Sequence, residues 1–380
     1  MRLLNVISTT NPAWGGPATG LAQLTPALKD LGVDVDVASS DPPDAPWLVS
    51  CGMHVYPLGP GCLTYSYNSR LVPWLRHNGG QYDAVIVHGL WQYHSLAVWR
   101  AFRTMDTPYF VFTHGALDPW FKRRYPLKHL KKWAYWPWAE YRVLRDARAV
   151  IFTCEQERLL ARKSFWLYHA NEALATYGAS NPPLVGGATF LQAHPHLRDK
   201  RIVLFLGRIH PKKGCDLLLG AFAQVAGSDE RLHLLMAGPD QSGWAASLHA
   251  QAKRLGIERR ITWPGMLEGD MKWAAFQVAD VFCLPSHQEN FGIAVAEALG
   301  CGKPVLISNK VNIWREIEAD GAGFIDDDTV NGTVRSLGRW LALDADGYTE
   351  MSARAQQCFA SRFQIGRAAE QLVATIEKYM

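Results

Sequence analysis

Val281-Phe-Cys-Leu284-Pro285-Ser-His-Gln-Glu289-Asn290-Phe291-Gly292-Ile-Ala-Val-Ala-Glu297-Ala-Leu-Gly300 is the stretch on which the reading of the fold turns. Four apolar residues make a buried strand, a polar loop follows, and an alanine-rich run beginning near Phe291 has the length and composition of a helix. A helix N-terminus offers unpaired N–H groups and the positive end of its dipole, which suits a phosphate. Glu289 falls in the loop and Glu297 eight residues on, about 12 Å away at a rise of ~1.5 Å per residue. That span matches a nucleotide sugar from hexose to ribose, and a carboxylate at each end can accept paired hydroxyls. Taken alone, the same residues read equally as a charge at a helix start and an ordinary exposed helix residue.

The same strand, turn and helix pattern recurs at Val203-Leu-Phe-Leu-Gly207-Arg208-Ile-His-Pro-Lys212-Lys213-Gly214. Arg208 offers a planar fork and Lys213 a compact point charge, and both can converge on one diphosphate. Two solvated cations on a loop would leave the same trace. The exit of the first strand, Ser8-Thr-Thr-Asn-Pro-Ala-Trp-Gly15-Gly16-Pro-Ala-Thr-Gly20, has glycines that let a ligand approach the backbone. It does not fit G-x-G-x-x-G, and this weakens a dinucleotide-binding reading. Two further strands end in His-Gly, at His88-Gly89 and His114-Gly115. A histidine at that end of a parallel strand is expected to face the ligand crevice, although a lone histidine is more often structural. Asp326-Asp327-Asp328 resembles a metal-binding triplet but reads as a solvated turn capping the next helix, so no metal site is expected.

Short apolar runs alternate with amphipathic segments along the whole chain, which argues for α/β architecture with parallel sheets. Strands are expected over 2–8, 33–39, 83–88, 109–113 and 149–153, with helices over 18–31, 94–103 and 127–144. After a Gly/Pro-rich stretch at 177–196, the best linker candidate, a second alternation begins at 201. The chain has 380 residues, more than one hydrophobic core usually supports. The expected division is an N-terminal acceptor-side domain over 1–180, a nucleotide-sugar-binding domain over 195–360, and a C-terminal helix over 361–380 packing back toward the first.

Composition narrows the classes. With 48% hydrophobic and 19% charged residues the chain is a folded globular protein, and a net charge of +4 gives no support to nucleic-acid binding. Nine Lys/Arg against two acids lie between Trp120 and Arg148, interleaved with aromatics as far as Trp138. Such a face over 120–148 suits an anionic membrane surface, with inward-packed aromatics and solvated cations as the alternative. Seven cysteines without a C-x-x-C pair suggest reduced, mostly buried thiols. No run is long or apolar enough for a signal peptide or a membrane span. A cytoplasmic address is therefore expected, with peripheral attachment to the inner face of the membrane as an extension of it.

These motifs resemble the retaining glycosyltransferases of family 4, which have the GT-B fold of two Rossmann-like domains facing across a deep cleft. Glu289-x7-Glu297 with Asn-Phe-Gly after the first glutamate is similar to the E-x7-E signature, and Gly207-Arg208-x4-Lys213-Gly214 to the family's G-R-x-x-x-x-K-G loop. Gly15-Gly16 sits where the family has its N-terminal glycine loop, and His114 where it has its cleft histidine. Ile261-Thr-Trp-Pro-Gly265-Met266 resembles the base-contacting turn. The resemblance implies that Arg208 and Lys213 hold the donor diphosphate with the amides of Asn290, Phe291 and Gly292. It implies that Glu297 takes the ribose, Glu289 the transferred hexose, Met266 the base and Gly16 a phosphate. Glu289, Arg208, Lys213 and His114 would then be the catalytic set.

The expected activity is transfer of a hexosyl group, glucose-type, from a UDP- or GDP-sugar to a sugar, glycolipid or oligosaccharide acceptor, without a metal or other cofactor. The competing readings are an NAD-dependent oxidoreductase with Asp36 on a ribose, and a non-catalytic nucleotide-sugar-binding protein.

Overall fold

Runs such as Arg2–Ile7 and Ala84–His88, apolar but for Arg2, Asn5 and His88, are the mark of strands covered on both faces, and each forms a central strand of a parallel sheet. The computed structural model describes residues 1–14, 16–241 and 243–380. The chain divides into two compact units, Met1–Ala179 with Ile365–Met380, and Ser180–Gln364.

The first unit contains β1 (Arg2–Ile7), β2 (Asp34–Ser39), β3 (His54–Pro57), β4 (Ala84–His88), β5 (Tyr109–Phe112), β6 (Ala149–Phe152) and β7 (Glu172–Leu174). They pair in the order β3-β2-β1-β4-β5-β6-β7. The register between β1 and β4 sets Leu3 beside Ala84 and Val6 beside Val87. Strand order reverses between these two strands, and at such a switch point the loops leaving the C-terminal ends part and open a crevice. The helix Ile365–Tyr379 belongs to this unit because its apolar stripe of Ala368, Ala369, Leu372 and Ile376 packs on the helix Gly16–Asp30.

The second unit contains β8 (Arg201–Leu206), β9 (Leu232–Ala237), β10 (Ile261–Gly265), β11 (Val281–Leu284), β12 (Val305–Ser308) and β13 (Gly323–Asp326), ordered β10-β9-β8-β11-β12-β13. Its switch point lies between β8 and β11, where Val281 pairs with Val203. The two loops singled out by their sequence leave these two strands.

The structure departs from sequence expectation in several places. The expected helix over 127–144 is two helices, Pro126–Tyr135 and Glu140–Asp146. Pro137 breaks it by lacking an N–H and restricting the residue before it. Trp136 at the break is fully buried and donates from Nε1 to the Trp166 carbonyl at 3.1 Å. The short strands β3 and β7 and the helix Leu71–Asn78 were not anticipated, because few of their residues carry an apolar period. Residues 177–196 hold the helix Ala188–Ala193, whose Phe190 is fully buried. All seven cysteines are free; Cys154, Cys215, Cys283 and Cys358 are buried and Cys62 is exposed. Among the described residues no helix is long and apolar enough to cross a membrane.

Candidate active site

In the second unit, β8 ends at Leu206 and the chain turns through Gly207 and Arg208 into a single 3-10 turn, Pro211–Lys213. His210 caps that turn by accepting the Lys212 N–H at Nδ1 (3.1 Å). Gly214 then takes φ +67, and a Cβ there would lie 2.1 Å from the Pro285 carbonyl oxygen. Only glycine lets the exit of β8 press against the exit of β11 here. The contact is reinforced by the His287 N–H, which donates to the Lys212 carbonyl at 2.8 Å.

This closure brings Lys213 onto Glu289, ammonium against carboxylate. Both side chains are largely covered, with 17% and 15% of their surfaces exposed. Lys213 is therefore not one of two solvated loop cations, whereas Arg208 is exposed and makes no ion pair among the described residues. Burial, then Lys212 and Arg208, push the Lys213 ammonium down to about 7. The touching carboxylate opposes that shift. Burial and the same cluster of cations, Arg208 first, also lower His210.

Glu289 is fixed through its backbone, donating to the Lys310 carbonyl at 2.9 Å and accepting from the Asn312 N–H at 3.0 Å. The helix that follows is Ile293–Gly300, later than the expected start near Phe291. Gly292 occupies the cap position at φ +77 without a side-chain cap, which leaves first-turn N–H groups to an incoming acceptor. Only the residues from Ile293 to Glu297 therefore rise as helix, contributing ~6 Å of the anticipated ~12 Å. The Phe291 ring is buried against Phe363, centroids 5.6 Å apart and nearly perpendicular, so only its backbone is available to a ligand. Asn290 Oδ1 accepts from Asn312 Nδ2 at 3.3 Å.

Glu297 is 4% exposed, not the exposed helix residue of the alternative reading, and accepts from Lys272 Nζ at 2.8 Å. Burial raises its carboxyl above the usual range and Lys272 opposes the shift. Lys272, on the helix Gly269–Val278, was missed from sequence because nothing in its own stretch signals a partner 25 residues on. Met266 follows β10 and is 60% exposed.

The aspartate triplet is consumed by ion pairs. Asp326 meets Arg335 and Arg339, and Asp328 lies 2.9 Å from His287 Nδ1. The cap of the helix Val330–Leu341 is Thr329, not an aspartate, accepting the Gly332 N–H at 2.9 Å. Among the described residues no cluster of His, Cys, Asp or Glu is arranged to hold a metal ion.

In the first unit, Gly16 opens the helix Gly16–Asp30, and a Cβ there would touch nothing. Gly15 lies outside the described residues. A cavity of about 440 Å³ sits at the strand ends, with Ser8, Thr9, Ser40, Asp41, Trp47 and His88 in its wall. His88 lines this cavity yet is almost wholly covered. It is 2% exposed, with Nε2 2.8 Å from Asn5 Oδ1 and Nδ1 2.9 Å from His114 Nε2. His94 Nε2 lies 2.8 Å from the His88 carbonyl oxygen. Burial lowers all three rings, His94 to about 4, His114 to about 3, and His88 well below its ordinary value with His114 and His94 adding to the effect.

His114 holds a left-handed backbone at φ +48, which costs about 1–3 kcal/mol in a residue with a Cβ. Glu157 pins this turn. Its carboxylate accepts from Thr113 Oγ1 at 2.6 Å, from the Gly115 N–H at 2.5 Å, and from the Thr153 N–H and hydroxyl at 2.7 Å. Sequence reading missed Glu157 and Asn5, since neither lies in a motif.

Two family models match the chain: glycosyl transferases group 1 over residues 188–357, and a glycosyl transferase 4-like domain over 15–172. Among curated relatives, D-inositol 3-phosphate glycosyltransferase of Segniliparus rotundus is 38% identical over 112 residues, 28% of this chain and 24% of the relative. The enzyme of the same name from Salinispora tropica is 32% identical over 180 residues, 45% of this chain and 37% of the relative. The chain thus spans a quarter to under two-fifths of these relatives. Among solved structures, sucrose-phosphate synthase from Thermosynechococcus elongatus has a TM-score of 0.78 at 20% identity, covering 100% of this chain and 99% of that one. Anabaena Alr3699/HepE, solved with UDP and glucose, has a TM-score of 0.77 at 18% identity and covers 100% of both chains.

Proposed function

The chain belongs to the family 4 glycosyltransferases of the GT-B fold, and we propose that it moves a hexosyl group, glucose-type, from a UDP- or GDP-sugar to an acceptor hydroxyl with retained anomeric configuration. The acceptor is a sugar, oligosaccharide or glycolipid in polysaccharide or glycoconjugate biosynthesis. The observation that carries this reading is the convergence of Lys213, Glu289 and the uncapped start of Ile293–Gly300 at one switch point. A cationic side chain, a carboxylate and helix amides suit the two halves of a sugar diphosphate.

In this mechanism Arg208 and Lys213 take the diphosphate, and negative charge builds on it as the bond from the anomeric carbon to the phosphate oxygen breaks. Glu289 is released from Lys213 by the incoming phosphate and accepts hydroxyls of the transferred hexose. Glu297 takes the ribose, Met266 meets the base through its backbone, Gly16 lies by a phosphate, and His114 contacts the sugar. Fixed cations supply what a divalent ion supplies elsewhere, so no metal cofactor is invoked.

The dinucleotide alternative loses its anchor. Asp36 is the third residue of β2, far from that strand's C-terminal end, and is engaged by Arg2 at 3.0 Å, Tyr82 at 2.9 Å and His54 at 2.6 Å. The test is a thermal-shift panel of nucleotide sugars, headed by UDP-glucose, followed by turnover with and without EDTA. A rise in Tm with a donor and chelator-insensitive transfer are expected. Activity lost to EDTA and restored by Mg²⁺ or Mn²⁺ would overturn the leaving-group assignment.

Peripheral attachment to the inner membrane face is part of the proposal. Leu127, Leu130 and Trp138 are 80%, 68% and 71% exposed, and Trp166, stacked on Trp133 at 5.7 Å, and Leu167 extend the same kind of surface. Exposed Lys122, Arg124, Lys128 and Lys131 accompany them. Apolar and aromatic side chains among cations fit an anionic bilayer.

A further inference from the structure

The histidine chain of the first unit has a direction. Asn5 is buried on β1 and faces His88 Nε2 with its amide oxygen at 2.8 Å. An amide oxygen only accepts, so His88 carries its proton on Nε2. A neutral imidazole then has a bare Nδ1, and that atom lies 2.9 Å from His114 Nε2. His114 must donate there. Its own Nδ1 keeps a lone pair and has no hydrogen-bond partner among the described residues.

The surroundings hold the ring in place. Phe112 lies parallel to it, 4.7 Å away and 7° off, and Tyr177 meets it edge-on at 5.4 Å and 81°. The left-handed turn that carries the ring is pinned by Glu157 on both sides, at Thr113 and at Gly115. A ring so enclosed cannot turn over to exchange its nitrogens without breaking the bond to His88.

We propose that Asn5 and His88 are positioning residues that lock His114 as the Nε2–H tautomer, so that its Nδ1 is an obligate hydrogen-bond acceptor for a substrate hydroxyl. This rests on the reading of His114 as a sugar contact and sharpens it: the ring accepts a hydroxyl hydrogen and donates none to the departing diphosphate. A hydroxylated ligand is selected over one offering only acceptors, since an acceptor would face the lone pair unpaired.

The full chain labelled with ¹⁵N-histidine, read by long-range ¹H–¹⁵N correlation at pH 7.5, tests the assignment directly. Wild type should show His88 and His114 protonated at Nε2 and bare at Nδ1. Asn5→Leu, of similar volume with no acceptor, should turn both rings into tautomer mixtures. It should slow transfer about three- to tenfold, the size of one lost neutral hydrogen bond. Affinity for free nucleoside diphosphate should hold. Asn5→Asp keeps an acceptor oxygen and should restore the tautomer and most of the rate. His114 protonated at Nδ1 in wild type overturns the proposal even if Asn5→Leu does not fold. So does an unchanged tautomer in Asn5→Leu, or a shifted tautomer with normal transfer. If no donor and acceptor pair turns over, the transferase reading fails while the tautomer assignment stands.

Discussion

The Lys213 ammonium touches the Glu289 carboxylate, joining two loops 76 residues apart at the exits of adjacent strands β8 and β11. In the proposed reaction these groups serve different halves of the donor, so the ligand-free pair must separate when donor binds. Its partners then change from each other to phosphate and sugar, and the charge state of Lys213 becomes coupled to binding.

This coupling has a definite sign. Burial and like charges hold the free-state ammonium near 7, and a bound diphosphate would raise it. Binding therefore takes up a proton at pH above about 7. Diphosphate affinity should be full below that point and fall as pH rises beyond it, by up to about tenfold per pH unit. Calorimetric titration of the free diphosphate at pH 6.5, 7.5 and 8.5, in buffers of different ionisation enthalpy, measures both the affinity and the proton. A flat affinity with no proton uptake would contradict the assignment of Lys213 to the phosphate.

The two glutamates should separate. Losing a hydrogen bond to a charged group costs roughly 1.5–3 kcal/mol, so Glu297→Ala should weaken diphosphate affinity about ten- to a hundredfold. Glu289→Ala should leave that affinity within a few-fold while transfer falls strongly. Stability should also differ, because Glu297 is buried on Lys272 and its removal strands a partly covered ammonium. Glu297→Ala should lower unfolding free energy by about 1–3 kcal/mol, and Glu297→Gln by less. Urea melts beside the titrations read both effects; equal losses of diphosphate affinity in the two alanine variants would mean the donor lies differently along this segment.

Acid should loosen the first unit. His88 and His94 are buried and His114 is partly covered, and all three are held neutral, with folded-state values depressed below the unfolded value near 6.5. Their contribution to stability is complete above about 6.5 and is lost as pH falls toward 4. The loss follows from the protons these rings take up on unfolding below about pH 6.5. Denaturation midpoints from pH 7.5 to 5 should fall, with a shallower fall in His94→Gln. Midpoints that hold steady down to pH 5 would mean the three rings are not held neutral by the fold.

Membrane attachment can be tested on exposed residues alone. Leu127→Ser with Leu130→Ser should abolish sedimentation with anionic liposomes at low salt and leave Tm unchanged, since neither side chain is packed. Binding should also weaken as salt screens the lysines. Wild-type protein that fails to sediment at any salt would remove the membrane from the proposal.

Much of the fold was legible because parallel strands buried on both faces are continuous apolar runs, which need no partner to be recognised. Ala149–Phe152 and Val281–Leu284 announce themselves in this way. The donor-side motifs were legible for a related reason: a strand, a glycine turn and a helix start lie within a dozen residues, so local sequence carries the local geometry. Pro137 could also have been read as a helix break, and its neighbour Trp136 shows why the apolar pattern ran through it.

Sequence alone determined the strands, the glycine turns and the residue types at their exits, because backbone sterics and burial act over short stretches. Only the tertiary structure decided that Lys213 meets Glu289, that Lys272 meets Glu297, and that Asn5 reaches His114 through His88. Each pairing joins side chains from different elements, and the sheet order that brings those elements together is set by packing of the whole unit. A charged or polar residue advertises no partner in its own neighbourhood; its electrostatics belong to whatever the fold places within a few ångströms.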